Sequence, residues 1–254
     1  MIIRRNWTAA EVREVLALYL RTPFGRLHER NPDIVALAQR LGRTPGAVAM
    51  KACNLASLDD SLPRQGLGNA SRLDRQVWEE FLQDPEIILP VYQRQRGGPD
   101  ASPGLAEESG EELRPPLPAD QTERIVAVRQ RLGQDFFRRM VLASWRERCP
   151  LTGVDDVRLL NASHIVPWRD DPQNRLNPRN GICLNTLHDR AFDRHLITFD
   201  EDMRLLVAPD VPTRARRALE RVESPRLEPP ERFRPDPTFL DHHRRRFHER
   251  LKRA

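Results

Sequence analysis

A segment with few large apolar residues divides the 254-residue chain and limits the folds open to it. From Arg94 to Pro118 the sequence reads RQRGGPDASPGLAEESGEELRPPLP, in which Pro, Gly, Glu and Ser dominate. Such a composition buries too little surface to offset the entropy lost on ordering, which indicates a linker. An ordered surface loop is the alternative. The chain is therefore predicted to contain two domains, residues 1–93 and 119–254, joined by an acidic linker at 94–118.

Polar capping residues predict a series of helices in the first domain. Three apolar-periodic stretches each follow an N-cap, at Thr8, Asn31 and Thr44. Glu11, three residues after the first cap, completes a capping box. A fourth amphipathic stretch covers residues 71–83. The first domain is therefore predicted to be all-α.

A turn that contains Gly42 joins the second and third of these helices, a pattern typical of helix-turn-helix proteins. The segment IVALAQRLGRTPGAVAMKACNLA resembles the helix-turn-helix modules of many bacterial DNA-binding proteins. Residues 36–57 include Arg43 and Lys51 and no acid, as suits a helix in the major groove. We therefore expect both cations to contact DNA. A plain three-helix bundle is the alternative.

The second domain has a different pattern. A long helix is predicted over residues 129–149. The chain then reads as strand, long polar loop, strand, short helix and strand. Together with the helical first domain, this order predicts the α+β class.

Three motif blocks follow one another in the second domain, namely ASHIVP, NPRNGICL and TLHDRAFD. With R-x-GQ-x-x-F-R and C-x-x-TG before them, these blocks resemble the HNH nucleases of the ββα-metal fold, over about residues 122–209. The resemblance implies that His164 is the general base and that Asn180 bridges the loop to the strand. It also implies that His188 binds one divalent metal ion, Mg²⁺ or Mn²⁺. A neutral imidazole, with a pKa near 6.5, suits base catalysis near pH 7.

One position departs from the pattern of this family. Many members carry an acid or a second His directly before the base, where this chain has Ser163. A hydroxyl is a weak ligand, so an ion bound by Ser163 would need water and the scissile phosphate to complete an octahedron. Asp193 is another candidate ligand, for which a cap or turn role is equally open. Arg169 and Arg179, in the intervening loop, are candidates for contact with the DNA backbone.

The resemblance implies a phosphodiester hydrolase that acts on double-stranded DNA. Its fusion to a helix-turn-helix domain suggests a restriction or defence nuclease, including one that senses modified bases. A DNA-binding regulator with an inactive HNH module and an RNA-directed or toxin nuclease are the alternatives. One module cuts one strand, so a double-strand break requires two modules, as in a homodimer, or two events.

Composition indicates where in the cell such an enzyme would work. No apolar run approaches the roughly 18 residues of a membrane span, and the first residues lack the apolar region of a signal peptide. Three cysteines without metal or disulfide spacing indicate the reducing cytoplasm. The net charge of +5 comes mostly from arginine, whose fork suits phosphate oxygens.

Overall fold

The computed structural model describes residues 5–60, 62, 68–97 and 121–253, with side chains from residue 126 onward in the last range. The chain forms two compact units, Met1–Ser102 and Pro103–Ala254. Most of the segment predicted as a linker lies outside the described residues. Among the described residues, no helix combines the length and the apolar character needed to cross a membrane.

The first unit is helical at every position where caps predicted a helix. Its described helices are α1 (Ala9–Leu20), α2 (Pro32–Leu41), α3 (Pro45–Ala56), α4 (Arg72–Gln83) and α5 (Leu89–Gln95). The capping box of Thr8 and Glu11 is present, and Ser71 with Asp74 forms a second box ahead of α4. Helix α1 contacts the other four helices, and its apolar side chains from Val12 onward are fully buried. The core of this unit therefore surrounds α1.

The turn between α2 and α3 depends on Gly42. Its φ of 61° and ψ of 39° lie in the left-handed region, which a residue without a Cβ adopts at little cost. Thr44 then caps α3 by accepting a hydrogen bond from the backbone N–H of Ala47. Two helices joined by a short turn are thus confirmed at this position.

The second unit combines helices with two small antiparallel sheets, which agrees with the α+β class. Its elements are α6 (Gln121–Ser144), β1 (Leu160–His164), β2 (Gly181–Asn185), α7 (Thr186–Asp193), β3 (Ile197–Phe199), β4 (Leu205–Val207), α8 (Thr213–Leu219) and α9 (Pro237–Leu251). Strand β1 pairs with β2, and β3 pairs with β4. Helix α7 follows β2 without a loop and packs on β1 and β2.

Helix α6 ends earlier than the sequence pattern predicted. The prediction extended the helix to Cys149, whereas α6 stops at Ser144. Arg146 and Glu147 have φ values of 57° and 55°, which break the helical path two residues later. The apolar residues after the break pack in the core without helical backbone, so periodicity alone overestimated the helix.

Helix α6 approaches the β-hairpin closely at Gly181. A Cβ added there would lie 2.4 Å from Val141 Cγ2 and 2.8 Å from Phe137 Cζ. Because neither distance leaves room for a methyl group, this position requires glycine. The same contact brings Phe137 against the end of β1, where the candidate site lies.

The C-terminal helix α9 is attached to α7 through His243. The His243 ring stacks on Phe192 at 3.7 Å, and its Nε2–H donates to the Phe192 carbonyl. Its Nδ1 accepts a hydrogen bond from Thr198 Oγ1. The ring is thus neutral and satisfied on both nitrogens, and it fixes α9 to the end of α7.

Candidate active site

The candidate site lies at the loop end of the β1–β2 hairpin, where the segment between the two strands begins and ends. His164, the last residue of β1, pairs with Gly181, the first residue of β2. Neighbouring residues of a strand face opposite sides. The ring of His164 accordingly lies against α6, while the side chain of Ser163 faces α7. One face of β1 therefore contacts α6, and the other contacts α7.

The imidazole of His164 is fixed by its neighbours on three sides. It stacks on Phe137 with ring centroids 3.8 Å apart, and Trp168 meets it edge-on at 5.4 Å. Its Nε2 lies 3.1 Å from the backbone oxygen of Arg175. A carbonyl oxygen only accepts, so Nε2 carries the proton and Nδ1 keeps a lone pair. Burial lowers the pKa of His164 to about 4, so the ring is neutral at pH 7.

Asn180 closes the loop that follows His164. Its Oδ1 accepts from the Val166 N–H at 2.8 Å, and its Nδ2 donates to the carbonyls of Val166 and Asn174. The side chain is almost fully buried. The amide thus holds the residues directly after His164, in the bridging position that the family resemblance implied.

His188 lies in the first turn of α7 and is buried. Its Nε2 is 2.9 Å from the carbonyl oxygen of Leu219, and its Nδ1 is 3.1 Å from Asn185 Oδ1. Burial lowers the pKa of His188, which favours the neutral ring. A neutral imidazole donates from one nitrogen only, and a metal ion can bind only the other.

A buried polar network that sequence reasoning missed connects α7 to β1. Asp189 accepts hydrogen bonds from Ser163 Oγ at 2.5 Å and from Asn161 Nδ2 at 2.6 Å. Burial raises the pKa of Asp189, and the two hydrogen bonds partly offset that rise. The sequence did hold a signal, because Asn161 and Ser163 lie two residues apart and therefore on one face of a strand. Buried polar side chains of this kind need a partner.

The two predicted metal ligands do not form an open ligand pair in this arrangement. Ser163 donates to Asp189, and both ring nitrogens of His188 face protein oxygens. Across the part of the chain that the structure describes, no three His, Cys, Asp or Glu side chains cluster closely enough to hold an ion. The donor set therefore does not fit an ion held by side chains of these types alone. Asp193, the other candidate ligand, is exposed at the end of α7.

The two arginines predicted to touch the DNA backbone are exposed near the site. Arg169 is 81% exposed and lies 3.3 Å from Asp170, while Arg179 is 51% exposed and lies 3.4 Å from Asp236. Exposed ion pairs of this kind contribute little and are readily exchanged for another anion. Both side chains are therefore available to a phosphate.

Arg43, predicted to contact DNA, is instead held inside the first unit. Its guanidinium covers the Trp7 ring at 3.8 Å and donates to both carboxylate oxygens of Glu11, at 2.9 and 3.2 Å. Burial alone would raise the pKa of Glu11, but hydrogen bonds from Arg43 and Thr8 hold it at about 2. The side chain of Arg43 is only 9% exposed. Its charge is therefore taken up by Glu11, and the expected DNA contact loses its basis.

The same correction applies to Lys51, the second cation predicted to contact DNA. Its Nζ lies 2.8 and 3.0 Å from the two carboxylate oxygens of Asp74, and both side chains are buried. The pair connects α3 to the start of α4. The sequence pattern did not show that Lys51 points inward, because its partner Asp74 lies 23 residues further along the chain.

The β1–β2 hairpin and α7 together form a ββα unit with one imidazole at the end of a strand and another on the helix. Residues 149–200, which contain this unit, match the family model described as HNH endonuclease. This part of the chain is therefore an HNH endonuclease domain. His164, Asn180 and His188 all lie within the matched residues. Comparison with curated proteins gives no match to the chain.

Proposed function

We propose that the protein is an endonuclease that hydrolyses phosphodiester bonds of double-stranded DNA, with His164 as the general base. The proposal rests on the position, protonation and hydrogen bonding of the His164 ring. It ends a strand of the matched domain, it is neutral, and its Nε2–H is committed to the Arg175 carbonyl. The Nδ1 lone pair is then the basic atom of the side chain.

The hydrolytic step follows from that geometry. A water molecule attacks phosphorus while its proton passes to Nδ1 of His164, and the bond from phosphorus to the leaving oxygen breaks. The stack on Phe137 and the contact with Trp168 hold the ring plane, which limits the reorientation needed for proton transfer. Asn180 supports the loop that carries the Arg175 carbonyl, through its bond to Asn174. Its role is to position the base.

A divalent ion, Mg²⁺ or Mn²⁺, belongs to the proposal because the resemblance to HNH nucleases implies one. When bound, such an ion would stabilise charge on the leaving oxygen. Chelation should abolish cleavage and added Mg²⁺ or Mn²⁺ should restore it. His188 would hold the ion only by exchanging one of its two contacts with protein oxygens for it, and in that case His188→Ala should raise the ion concentration required. Full activity in excess chelator would remove the ion from the proposal.

The first unit is proposed as the part that selects the DNA. This role rests on the pair α2 and α3 with its short turn, and no longer on Arg43 and Lys51, which are engaged within the unit. A nuclease domain joined to such a unit suits a restriction or defence enzyme of the cytoplasm, including one that senses modified bases. A homodimer would supply the two modules that a double-strand break needs.

A comparison of substrates tests the proposal. The full-length protein is incubated with supercoiled plasmid that is unmodified, methylated or hydroxymethylated, and with RNA of matched length, each with and without Mn²⁺. We expect metal-dependent nicking or linearisation of duplex DNA. Preference for RNA would assign an RNA nuclease. DNA binding without cleavage of any substrate would assign a regulator with an inactive module.

A further inference from the structure

A pocket on the second unit is formed mainly by arginine. Its lining residues are His195, two residues after the end of α7, and Arg246, Glu249, Arg250 and Arg253. Arg246, Glu249 and Arg250 share one face of α9, at i, i+3 and i+4, and Arg253 follows two residues after the end of the helix. The lining therefore holds three guanidinium groups and one carboxylate. This face lies outside residues 149–200, the part matched to the HNH family.

The side chain of Arg250, which lines the pocket, is held in place by three hydrogen bonds. Its guanidinium makes a bidentate pair with Asp210, at 2.8 and 2.6 Å, and its Nε donates to the carbonyl of His195 at 2.9 Å. These three bonds join α9 to the end of α7 and to the segment after β4. The charge of Arg250 is balanced by Asp210, so Arg250 shapes the pocket and leaves ligand contact to its neighbours.

Arg246 and Arg253 lie one turn before and one turn after Arg250. Arg246 is 47% exposed, and its contact with Glu249 is 3.6 Å long, which makes a weak surface pair. Arg253 is exposed at the end of the helix. The pocket therefore contains two exposed guanidinium groups beside the fixed side chain of Arg250. Such planar donors bind phosphate oxygens in a bidentate manner.

We propose that this pocket binds a backbone phosphate of the nucleic acid, away from the reacting phosphodiester, through Arg246 and Arg253. The proposal rests on the proposed function for the nature of the ligand. Helix α9 is fixed to Phe192 of α7 through His243, so the pocket keeps its place relative to the helix of the HNH unit. Helix α7 continues for five residues after His188, about 7–8 Å along its axis, and His195 comes two residues after its end. A strand that passes the site can thus reach the pocket.

A pair of double variants of the full-length protein tests the proposal. Arg246→Gln with Arg253→Gln removes the two pocket cations. Arg245→Gln with Lys252→Gln is the matched control, because it removes the same charge from exposed positions on α9 and directly after its end, outside the pocket. Binding to one DNA duplex is measured in chelator over a range of salt concentrations, and thermal unfolding confirms that both variants fold.

The pocket variant should lower the slope of log affinity against log salt by about 1 for each arginine, while the control stays within roughly 0.3 of the parent. Glu249→Gln, which removes the acid at the rim, should tighten binding. Equal loss in both double variants, or no loss in either, would overturn the proposal. The binding measurement does not require cleavage, so the two proposals can fail separately. If only the pocket variant loses DNA affinity and the parent protein cleaves no substrate, the nuclease proposal fails and the phosphate site stands. If the parent protein cleaves DNA but the two double variants bind it equally well, the phosphate site fails and the nuclease proposal stands.

Discussion

The close approach of α6 to the hairpin makes Gly181→Ala a sharp test of how the site is built. Gly181 has a φ of −137° and a ψ of 142°, which any residue adopts. Without a steric conflict, the change would stabilise the fold by about 0.4–1 kcal/mol, because alanine restricts the unfolded chain. Any destabilisation must therefore come from the contact itself.

The size of that contact sets the expected magnitude. The new Cβ would lie 2.4 Å from Val141 Cγ2, roughly 1 Å short of the distance at which nonbonded carbons meet. It would also lie 2.8 Å from Phe137 Cζ, which belongs to the ring stacked on His164. Overpacking of this kind costs about 1–3 kcal/mol. Because the strand and the helix must separate, the variant should lose activity as well as stability.

A double-mutant cycle measures the effect. Urea unfolding and single-turnover cleavage are recorded for Gly181→Ala, Val141→Ala and the double variant. Removing the Val141 methyl groups makes room for the new one, so the double variant should be more stable than the sum of the single effects by at least about 0.5 kcal/mol. If Gly181→Ala leaves stability and cleavage at the parent values, α6 does not pack against Gly181 and His164 as described.

Three further predictions concern groups buried around the two cores. Lys51→Met leaves Asp74 buried without its partner and should destabilise the first unit by about 3–5 kcal/mol, whereas adding Asp74→Asn should recover most of the loss in a denaturant titration. Asp189→Ala leaves two buried donors unpaired and should lower the free energy of unfolding by about 1–3 kcal/mol. Asp189→Asn can accept from Asn161 and donate to Ser163, so its stability should stay close to that of the parent. Equal losses of stability in the two variants would contradict the network. Burial lowers the pKa of His243 to about 3, so between about pH 6.5 and pH 3 only the unfolded chain binds a proton there. Stability should fall by about 1.4 kcal/mol per unit as the pH drops through that window, and His243→Gln should flatten the dependence in unfolding curves.

Local signals in the sequence predicted the helices well because the groups that decide them are neighbours. Thr8 and Glu11, or Asn31 and the proline after it, lie within one turn of each other, so their roles can be seen without a fold. The ββα order of the site could be predicted for the same reason, since β2 continues directly into α7.

Partners distant in the chain account for what the sequence did not reveal. Lys51 looked like a surface cation because its partner Asp74 comes 23 residues later, and Arg43 pairs with an acid 32 residues earlier. The carbonyl that faces His188 belongs to Leu219, 31 residues away, in an element outside the motif blocks. A pattern shows that a side chain is polar or basic, but only the fold decides whether it faces solvent or a buried partner.

The central claim, that His164 is the base of a nuclease centre, is tested most directly by single-turnover cleavage of duplex DNA by His164→Ala. His248→Ala, an exposed position on α9, is the control. Duplex affinity and thermal unfolding are measured in parallel, so that loss of the stack on Phe137 is not mistaken for loss of chemistry. We expect His164→Ala to keep its affinity for DNA and to cleave about 10² or more times slower, while His248→Ala cleaves at the parent rate. A rate for His164→Ala within a few fold of the parent would place the base elsewhere and contradict the account.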